Sequence, residues 1–171
     1  MAIKDLKIGT PEQFNVVIEI PAGSQDKYEY DEEADVIKLD RVLYGAQRYP
    51  LNYGFIPETR ALDGDHTDVL LFGTNPFMVG SVVEVRPIGF MEMIDGGEID
   101  NKILAVPVKD PRFLGMQDLS DIPSHTLKEI QNFFETYKVL QNKKVEIKGF
   151  GKREDAIKEI KETSEAYLKS H

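Results

Sequence analysis

A short acidic segment of this chain could bind a metal ion. Asp63, Asp65 and Asp68 lie within six residues of one another, with Gly64 between the first two. Carboxylates this close repel each other, so their ionised forms are stabilised when a cation lies between them. Clusters of oxygen donors are typical ligands of hard divalent ions such as Mg²⁺ and Ca²⁺. The apolar run 69–72 follows at once, so we predict a metal site at the mouth of a buried strand.

Further charged and aromatic residues could bind an anionic substrate. Asp95 and Asp100 flank a glycine-rich turn, and Glu19 ends an apolar strand, where an ionised group is expected only if it faces a site. Lys27 and Glu29 share one face if their segment is extended. The other candidates are Arg41 at a strand end, Tyr49 and Tyr53 around a predicted rigid turn, Lys102, and Tyr137 with Lys138 at the end of a helix. Carboxylates for Mg²⁺, together with Lys, Arg and Tyr for anionic oxygens, indicate metal-assisted phosphoryl transfer to water.

Each of these residues also has a purely structural interpretation. An Asp-x-Asp-x-x-Asp loop taken alone has roughly even odds of being a solvated turn. The three tyrosines could be core residues, Lys138 could complement a helix dipole, and Lys27 with Glu29 could be an exposed ion pair. A haloacid-dehalogenase-like phosphatase motif is disfavoured because no βαβ alternation follows Asp63. An EF-hand loop fails because the third acid comes one residue late.

Composition narrows the classes of function. The chain has 171 residues, a formal net charge of −9 and 30% charged residues, so we expect one domain, residues 1–171, and no nucleic-acid partner. The chain has no basic amphipathic segment and no apolar run of roughly 18 residues, so we expect no membrane partner. The chain has no cysteine, which excludes disulfides and thiolate chemistry. Without a signal-peptide core at the N-terminus, we expect a cytoplasmic location.

Hydrophobic patterning predicts an α+β fold. Short alternating or apolar runs predict strands at 14–20, 36–39, 69–72, 81–93, 102–108 and 145–150. Two helices are predicted in the C-terminal third of the chain. The first begins after Pro123 with Ser124 as its N-cap and carries Leu127, Ile130, Phe134 and Tyr137 on one face; the second runs from 153 to 168 with Ile157, Ile160, Ser164 and Tyr167 on its inner stripe. Five or more short strands with helices at the end predict a small β-barrel decorated by helices.

Taken together, these residues resemble the family I soluble inorganic pyrophosphatases of the bacterial type. The resemblance extends from about residue 14 to the C-terminal helix and rests on seven motifs in the family's order. These are Val17-Ile-Glu-Ile-Pro-Ala-Gly, Lys27-Tyr-Glu, Leu39-Asp-Arg, Tyr49-Pro-Leu-Asn-Tyr-Gly, Leu62-Asp-Gly-Asp-x-x-Asp-Val-Leu, Asp95-Gly-Gly-Glu-x-Asp-x-Lys and Phe133-Phe-Glu-x-Tyr-Lys. The resemblance implies a mainly β fold, with a five-stranded OB-like β-barrel and flanking α-helices, that hydrolyses pyrophosphate to two orthophosphates.

The resemblance also implies a role for each candidate residue. Asp63, Asp68 and Asp100 correspond to ligands of a tightly bound Mg²⁺ ion, Asp68 would also contact a second ion, and Asp65 corresponds to the general base. Asp95 and Glu29 would hold ions that arrive with the substrate, and Glu19 would support the metal site. Lys27, Arg41, Tyr53, Lys102, Tyr137 and Lys138 correspond to phosphate-binding groups, and Tyr49 lines the site. The family also implies several Mg²⁺ ions per site, which other divalent ions such as Mn²⁺ could replace, and a homohexamer.

Two departures from the family pattern stand out. His66 and Thr67 lie where the family usually has Pro or Glu followed by an aliphatic residue, and Gly96 lies where it often has an acid. Both departures keep the spacing of the carboxylates. From a different class, an OB-like binding module or an inactive relative with a structural metal would share the fold, and metal-dependent release of phosphate from pyrophosphate distinguishes the enzyme from both.

Overall fold

The fold is a closed five-stranded β-barrel extended by further strands and two helices. A computed structural model describes residues 2–171. The strands are β1 (Gly9–Thr10), β2 (Gln13–Ile20), β3 (Asp26–Asp31), β4 (Val36–Val42), β5 (Asn52–Ile56), β6 (Thr67–Leu71), β7 (Val82–Asp95), β8 (Glu98–Ile99), β9 (Lys102–Pro107) and β10 (Val145–Lys152). The helices are α1 (Ser124–Thr136) and α2 (Arg153–Lys169), and short 3-10 turns lie at Ile3–Asp5, Pro111–Phe113, Leu119–Asp121 and Val139–Gln141. The predicted α+β, mainly β class is confirmed.

The barrel closes because the long strand β7 pairs on both sides. The order of the sheet is β1-β2-β5-β6-β9-β7-β10. An additional pairing between β2 and β7 closes the five strands β2, β5, β6, β9 and β7 into the barrel. Only β6 and β9 run parallel in this barrel, while its other neighbours are antiparallel. Beyond the barrel, β8 pairs with the end of β7, and β3 and β4 form a separate hairpin. The parallel register aligns Asp68 with Lys102, which brings two of the predicted site residues side by side.

The predicted turn at residues 50–52 is shorter in the structure. Only residues 50 and 51 form a bend, and Asn52 begins β5, so Tyr53 lies within a fully buried strand and not directly beside the turn. The backbone of β5 approaches β2 so closely that a Cβ at Gly54 would lie 2.2 Å from the Val17 carbonyl oxygen. A glycine that resembles a turn signal therefore serves close strand packing. The hairpin strand β3 was missed as well, because four of its six residues are charged and none is fully buried.

The helices lie close to their predicted bounds, with two corrections. Helix α1 begins at Ser124 itself, and Pro123 occupies the N-cap position, so the prediction of Ser124 as N-cap is wrong by one residue. Helix α2 buries Ile160 as predicted, but the other buried residues are Ala156 and Thr163, each one position before the predicted Ile157 and Ser164. The core of the barrel divides into two clusters of buried side chains, and Ala156 and Ile160 of α2 belong to one of them. Within residues 2–171, no helix is long and apolar enough to cross a membrane.

Candidate active site

All fourteen candidate residues line one cavity of about 260 Å³. They come from seven strands, from the segments before β5, between β5 and β6 and before β9, and from the end of α1. The residues are Glu19, Lys27, Glu29, Arg41, Tyr49, Tyr53, Asp63, Asp65, Asp68, Asp95, Asp100, Lys102, Tyr137 and Lys138. Positions separated by up to 119 residues in the sequence are therefore brought together by the closure of the barrel.

The acidic segment forms a tight loop that exposes two of its carboxylates. The backbone N–H of Ala61 donates to the Asp65 carbonyl oxygen at 2.8 Å, and that of Gly64 donates to the Ala61 carbonyl oxygen at 3.0 Å. Gly64 has a φ of 90°, which a residue without a side chain adopts readily. The Asp65 N–H donates to Asp63 Oδ1 at 3.0 Å. Partial desolvation in the cavity and the Asp100 carboxylate raise the pKa of both Asp63 and Asp65.

Lys102 connects two carboxylates at the bottom of the cavity. Its Nζ donates to Asp68 Oδ2 at 2.6 Å and to Asp100 Oδ1 at 2.9 Å, and its side chain is only 2% exposed. Burial alone would lower the pKa of Lys102, but Asp68 and Asp100 outweigh it and raise that pKa. Burial raises the pKa of Asp68 to about 6, against the opposing effect of Lys102. Asp68 and Asp100 are thus close enough to share one cation.

Glu19 faces the cavity from an interrupted strand pairing. The register between β2 and β5 shifts between Ile18 and Ile20, and such bulges redirect a side chain. The Glu19 residue is 6% exposed, and its Oε2 accepts the Tyr30 N–H at 2.8 Å. Burial, followed by the charge of Asp68, raises the pKa of Glu19 to about 8. An ionised Glu19 is therefore costly unless a positive charge lies near it.

Arg41 and Lys27 are neighbours across the β3–β4 hairpin and share one carboxylate. Arg41 Nη1 donates to Asp40 Oδ2 at 2.7 Å, and Lys27 Nζ donates to the same oxygen at 2.9 Å. Lys27 Nζ also lies 3.7 Å from Glu29 Oε2, which confirms that these two residues share a face. The Nε and Nη2 atoms of Arg41 are buried and have no hydrogen-bond partner within residues 2–171.

The three tyrosines belong to the core and to the cavity wall at once. Tyr49, Tyr53 and Tyr137 are all buried. The Tyr49 ring packs edge-on against Tyr53 and Tyr137, with centroid distances of 5.6 and 6.5 Å. Burial raises the pKa of all three hydroxyl groups, so they remain protonated donors at neutral pH. The packing interpretation and the binding interpretation of these residues are compatible.

The cavity is strongly acidic. Eight carboxylates line it, against four Lys and Arg side chains. Lys138 Nζ makes a short contact with Asp95 Oδ2, so Asp95 and Asp100 each face a lysine. Among residues 2–171, no three Asp, Glu or His side chains converge as a ready metal-ligand group. The donor atoms are nevertheless of the type that hard divalent ions prefer, and the excess negative charge favours their entry.

Several residues of the site were not identified from the sequence. Asp40 forms ion pairs with Lys27 and Arg41, and only these contacts in the hairpin identify it as part of the site. The rings of Tyr30, Phe55 and His66 stack, with centroids 4.9 Å apart at each step, and line the cavity wall. His66 Nδ1 also donates to the Thr59 carbonyl oxygen at 3.0 Å. The unusual His66 therefore has a structural role: it anchors the end of the acidic loop.

Comparison with known proteins agrees with this geometry. The inorganic pyrophosphatase family profile matches residues 16–168. The inorganic pyrophosphatase of Halalkalibacterium halodurans is 50% identical over 92% of this chain and 96% of its own.

Solved structures give the same result. The inorganic pyrophosphatase of Thermus thermophilus superposes with a TM-score of 0.94 at 44% identity, covering 98% of this chain and 99% of its own. A vacuolar soluble pyrophosphatase of Trypanosoma cruzi, solved in complex with PPi, has a TM-score of 0.85 at 25% identity, over 98% of this chain and 75% of its own. The chain therefore belongs to the inorganic pyrophosphatase family, hydrolases that convert pyrophosphate to phosphate.

Proposed function

We propose that this cavity hydrolyses pyrophosphate to two orthophosphates with Mg²⁺ as its cofactor. The observation that carries the proposal is the state of Arg41. Two buried nitrogen atoms of its guanidinium, Nε and Nη2, have no hydrogen-bond partner in the described chain, and unpaired buried donors are costly. A phosphate group offers the planar fork of arginine two oxygen acceptors. The T. cruzi relative solved with PPi supports pyrophosphate as the anion.

The other cationic and phenolic groups complete the proposed grip on the substrate. Lys27, Lys102 and Lys138 supply ammonium groups, Tyr53 and Tyr137 supply protonated hydroxyl groups, and Tyr49 holds the tyrosines in place by packing. Lys102 Nζ lies 5.4 Å from the Tyr53 ring centroid and Lys138 Nζ lies 5.3 Å from that of Tyr137, so each ammonium is adjacent to a phenol. Fixed donors of this kind stabilise the charge that develops on a leaving phosphate.

The carboxylates fit a divalent metal in chemistry and in charge. Asp68 and Asp100 already lie within 2.6 and 2.9 Å of one ammonium, and Asp63 completes the proposed ligand set. Asp95 and Glu29 would hold further ions, and Glu19 would support the shell. When bound, Mg²⁺, or Mn²⁺ in its place, makes water more acidic and offsets the charge of the phosphates. Burial raises the pKa of Asp68, and a bound divalent ion would favour its ionised form.

Asp65 is the proposed general base. It is exposed at the tip of the acidic loop. Partial desolvation and the charges of Glu29 and Asp100 raise its pKa, which makes the carboxylate a better proton acceptor. A carboxylate oxygen of Asp65 accepts a proton from the attacking water. The water oxygen then bonds to one phosphorus, and the bond from that phosphorus to the bridging oxygen breaks. Arg41 and the lysines stabilise the second phosphate as it leaves.

The remaining parts of the proposal rest on the family resemblance. We propose that residues 1–171 act as a single inorganic pyrophosphatase domain, that the protein is a homohexamer and that it is located in the cytoplasm. Sedimentation of the purified protein and fractionation of cells that produce it test the last two points directly.

The Arg41 assignment is tested by Arg41→Met, with Arg112→Met as the matched control. Arg112 is exposed, pairs with Asp110 and lies outside the cavity. Loss of two charge-assisted hydrogen bonds predicts that kcat/KM for pyrophosphate falls by about 100-fold in Arg41→Met, and that Arg112→Met retains the wild-type value. Equal kcat/KM in both variants would contradict the assignment.

A further inference from the structure

Arg60 contacts the acidic loop from outside the cavity. It is not one of the residues that line the cavity, but its Nη1 donates to the Gly64 carbonyl oxygen at 2.8 Å. Gly64 separates Asp63 from Asp65, so this hydrogen bond reaches the centre of the loop that carries two of the proposed functional carboxylates.

The same guanidinium is fixed by two other parts of the fold. Nη1 and Nη2 of Arg60 each lie 3.4 Å from a carboxylate oxygen of Glu32, which belongs to the turn between β3 and β4. The guanidinium carbon also lies 5.7 Å from the ring centroid of Tyr167 in α2. The backbone N–H of Arg60 donates to the carbonyl oxygen of Thr163, in the same helix, at 2.9 Å. Arg60 thus connects the loop to the hairpin and to a helix.

The tip of the loop has few other restraints. Asp63, Gly64 and Asp65 are exposed, and no heavy atom outside the adjacent residues lies within 4 Å of the position of a Cβ built on Gly64. The neck is held separately, because Thr59 accepts hydrogen bonds from His66 Nδ1 and from the Thr67 N–H. Arg60 therefore provides a side-chain tie between the tip and the rest of the protein.

We propose that Arg60 is a positioning residue that holds Asp63 and Asp65 in their working arrangement through the Gly64 carbonyl. The inference rests on the proposed roles of those two carboxylates. A lysine would not serve equally well, because one ammonium lacks the planar fork that contacts Glu32 and Gly64 together.

The experiment compares Arg60→Met and Arg60→Lys with the wild type and with Arg112→Met. Two quantities are measured: hydrogen exchange of the Ala61 and Gly64 amides, and the Mg²⁺ concentration that gives half-maximal pyrophosphate hydrolysis. In Arg60→Met we expect both amides to exchange about tenfold faster and the half-saturating Mg²⁺ concentration to rise about tenfold, the scale seen when a group supporting metal ligands is removed. Because Asp65 is the proposed general base, we also expect kcat at saturating Mg²⁺ to fall. Arg60→Lys should lie between, and Arg112→Met should match the wild type.

Unchanged loop amides and an unchanged Mg²⁺ response in Arg60→Met would overturn the proposal, as would equally faster exchange along the whole chain. If Arg60→Met does not fold, Glu32→Gln weakens the same anchor; faster exchange confined to the loop amides would support the proposal, and none would overturn it. A wild-type protein without Mg²⁺-dependent hydrolysis would refute the proposed function, whereas the exchange comparison would still decide whether Arg60 holds the loop.

Discussion

Lys102 and Asp68 occupy partnered positions on the parallel strands β9 and β6, with Lys102 Nζ 2.6 Å from Asp68 Oδ2. The same ammonium lies 2.9 Å from Asp100 Oδ1. A single buried cation therefore balances two carboxylates that are proposed metal ligands. The parallel pairing of β6 with β9 produces this arrangement. It places Asp68, at the end of the acidic loop, beside Lys102, which lies two residues after Asp100.

The first prediction concerns this buried triad. Lys102→Met leaves Asp68 and Asp100 without their shared cation, so we expect the free energy of unfolding without added metal to fall by about 3 kcal/mol. Added Mg²⁺ should stabilise this variant more than the wild type, because the ion would then face two uncompensated carboxylates. Urea denaturation with and without Mg²⁺ measures both effects. Lys109→Met, at an exposed position, is the control, and an equal Mg²⁺ effect in all three proteins would argue against Asp68 and Asp100 as ligands.

The second prediction ranks two of the carboxylates. Asp68 would contact two ions, whereas Asp95 is engaged by Lys138 and would hold an ion that arrives with the substrate. We therefore expect Asp68→Asn to reduce kcat by more than about 100-fold and Asp95→Asn by about tenfold. Steady-state kinetics at saturating Mg²⁺ provide the comparison, with Glu165→Gln on the exposed face of α2 as the charge-matched control. The reverse ranking would mean that the metal assignment is wrong.

The third prediction uses two buried threonines at the neck of the acidic loop. Thr59 Oγ1 donates to the Ile56 carbonyl oxygen at 2.6 Å and accepts the Thr67 N–H at 2.9 Å. Thr67 Oγ1 is also buried but has no partner within residues 2–171. Replacing an unpaired hydroxyl with a methyl group removes a desolvation cost, so we expect Thr67→Val to raise the free energy of unfolding by about 1 kcal/mol.

Thr59→Val is the matched control for that prediction, because it removes a hydroxyl that makes two hydrogen bonds. It should lower the free energy of unfolding by about 1–3 kcal/mol. Chemical denaturation of both variants measures the two changes. A loss of stability in Thr67→Val would show that this hydroxyl has a partner, such as an ordered water.

Local patterns were sufficient to predict most of the strands. The apolar runs that correspond to β2, β6, β7, β9 and β10 were identified because the apolar residues in them are the ones that the barrel buries. Strand β5 was not predicted, because Pro50 and Gly54 are typical turn residues, and only the approach of β2 explains why Gly54 lies inside a strand. The displaced stripe of α2 has a similar cause, since contact with the barrel decides which face is buried.

The grouping of the candidate residues in one cavity has a physical reason. The residues proposed to bind ions and phosphates are charged or phenolic, and they stand out at the ends of apolar segments. The residues that support them are not marked in this way. Asp40, Glu32 and Arg60 resemble ordinary surface charges in the sequence, and only their contacts across the hairpin and the loop identify them.

The decisive measurement is release of phosphate from pyrophosphate by the purified protein, measured with Mg²⁺, with excess chelator, and again after Mg²⁺ is restored. We expect rapid release with Mg²⁺, loss of at least about 1,000-fold with chelator, and recovery on restoration, with Glu165→Gln behaving as the wild type. Release that does not depend on metal would contradict the proposed mechanism. No release under any of these conditions would contradict the enzyme assignment and favour a binding module or an inactive relative.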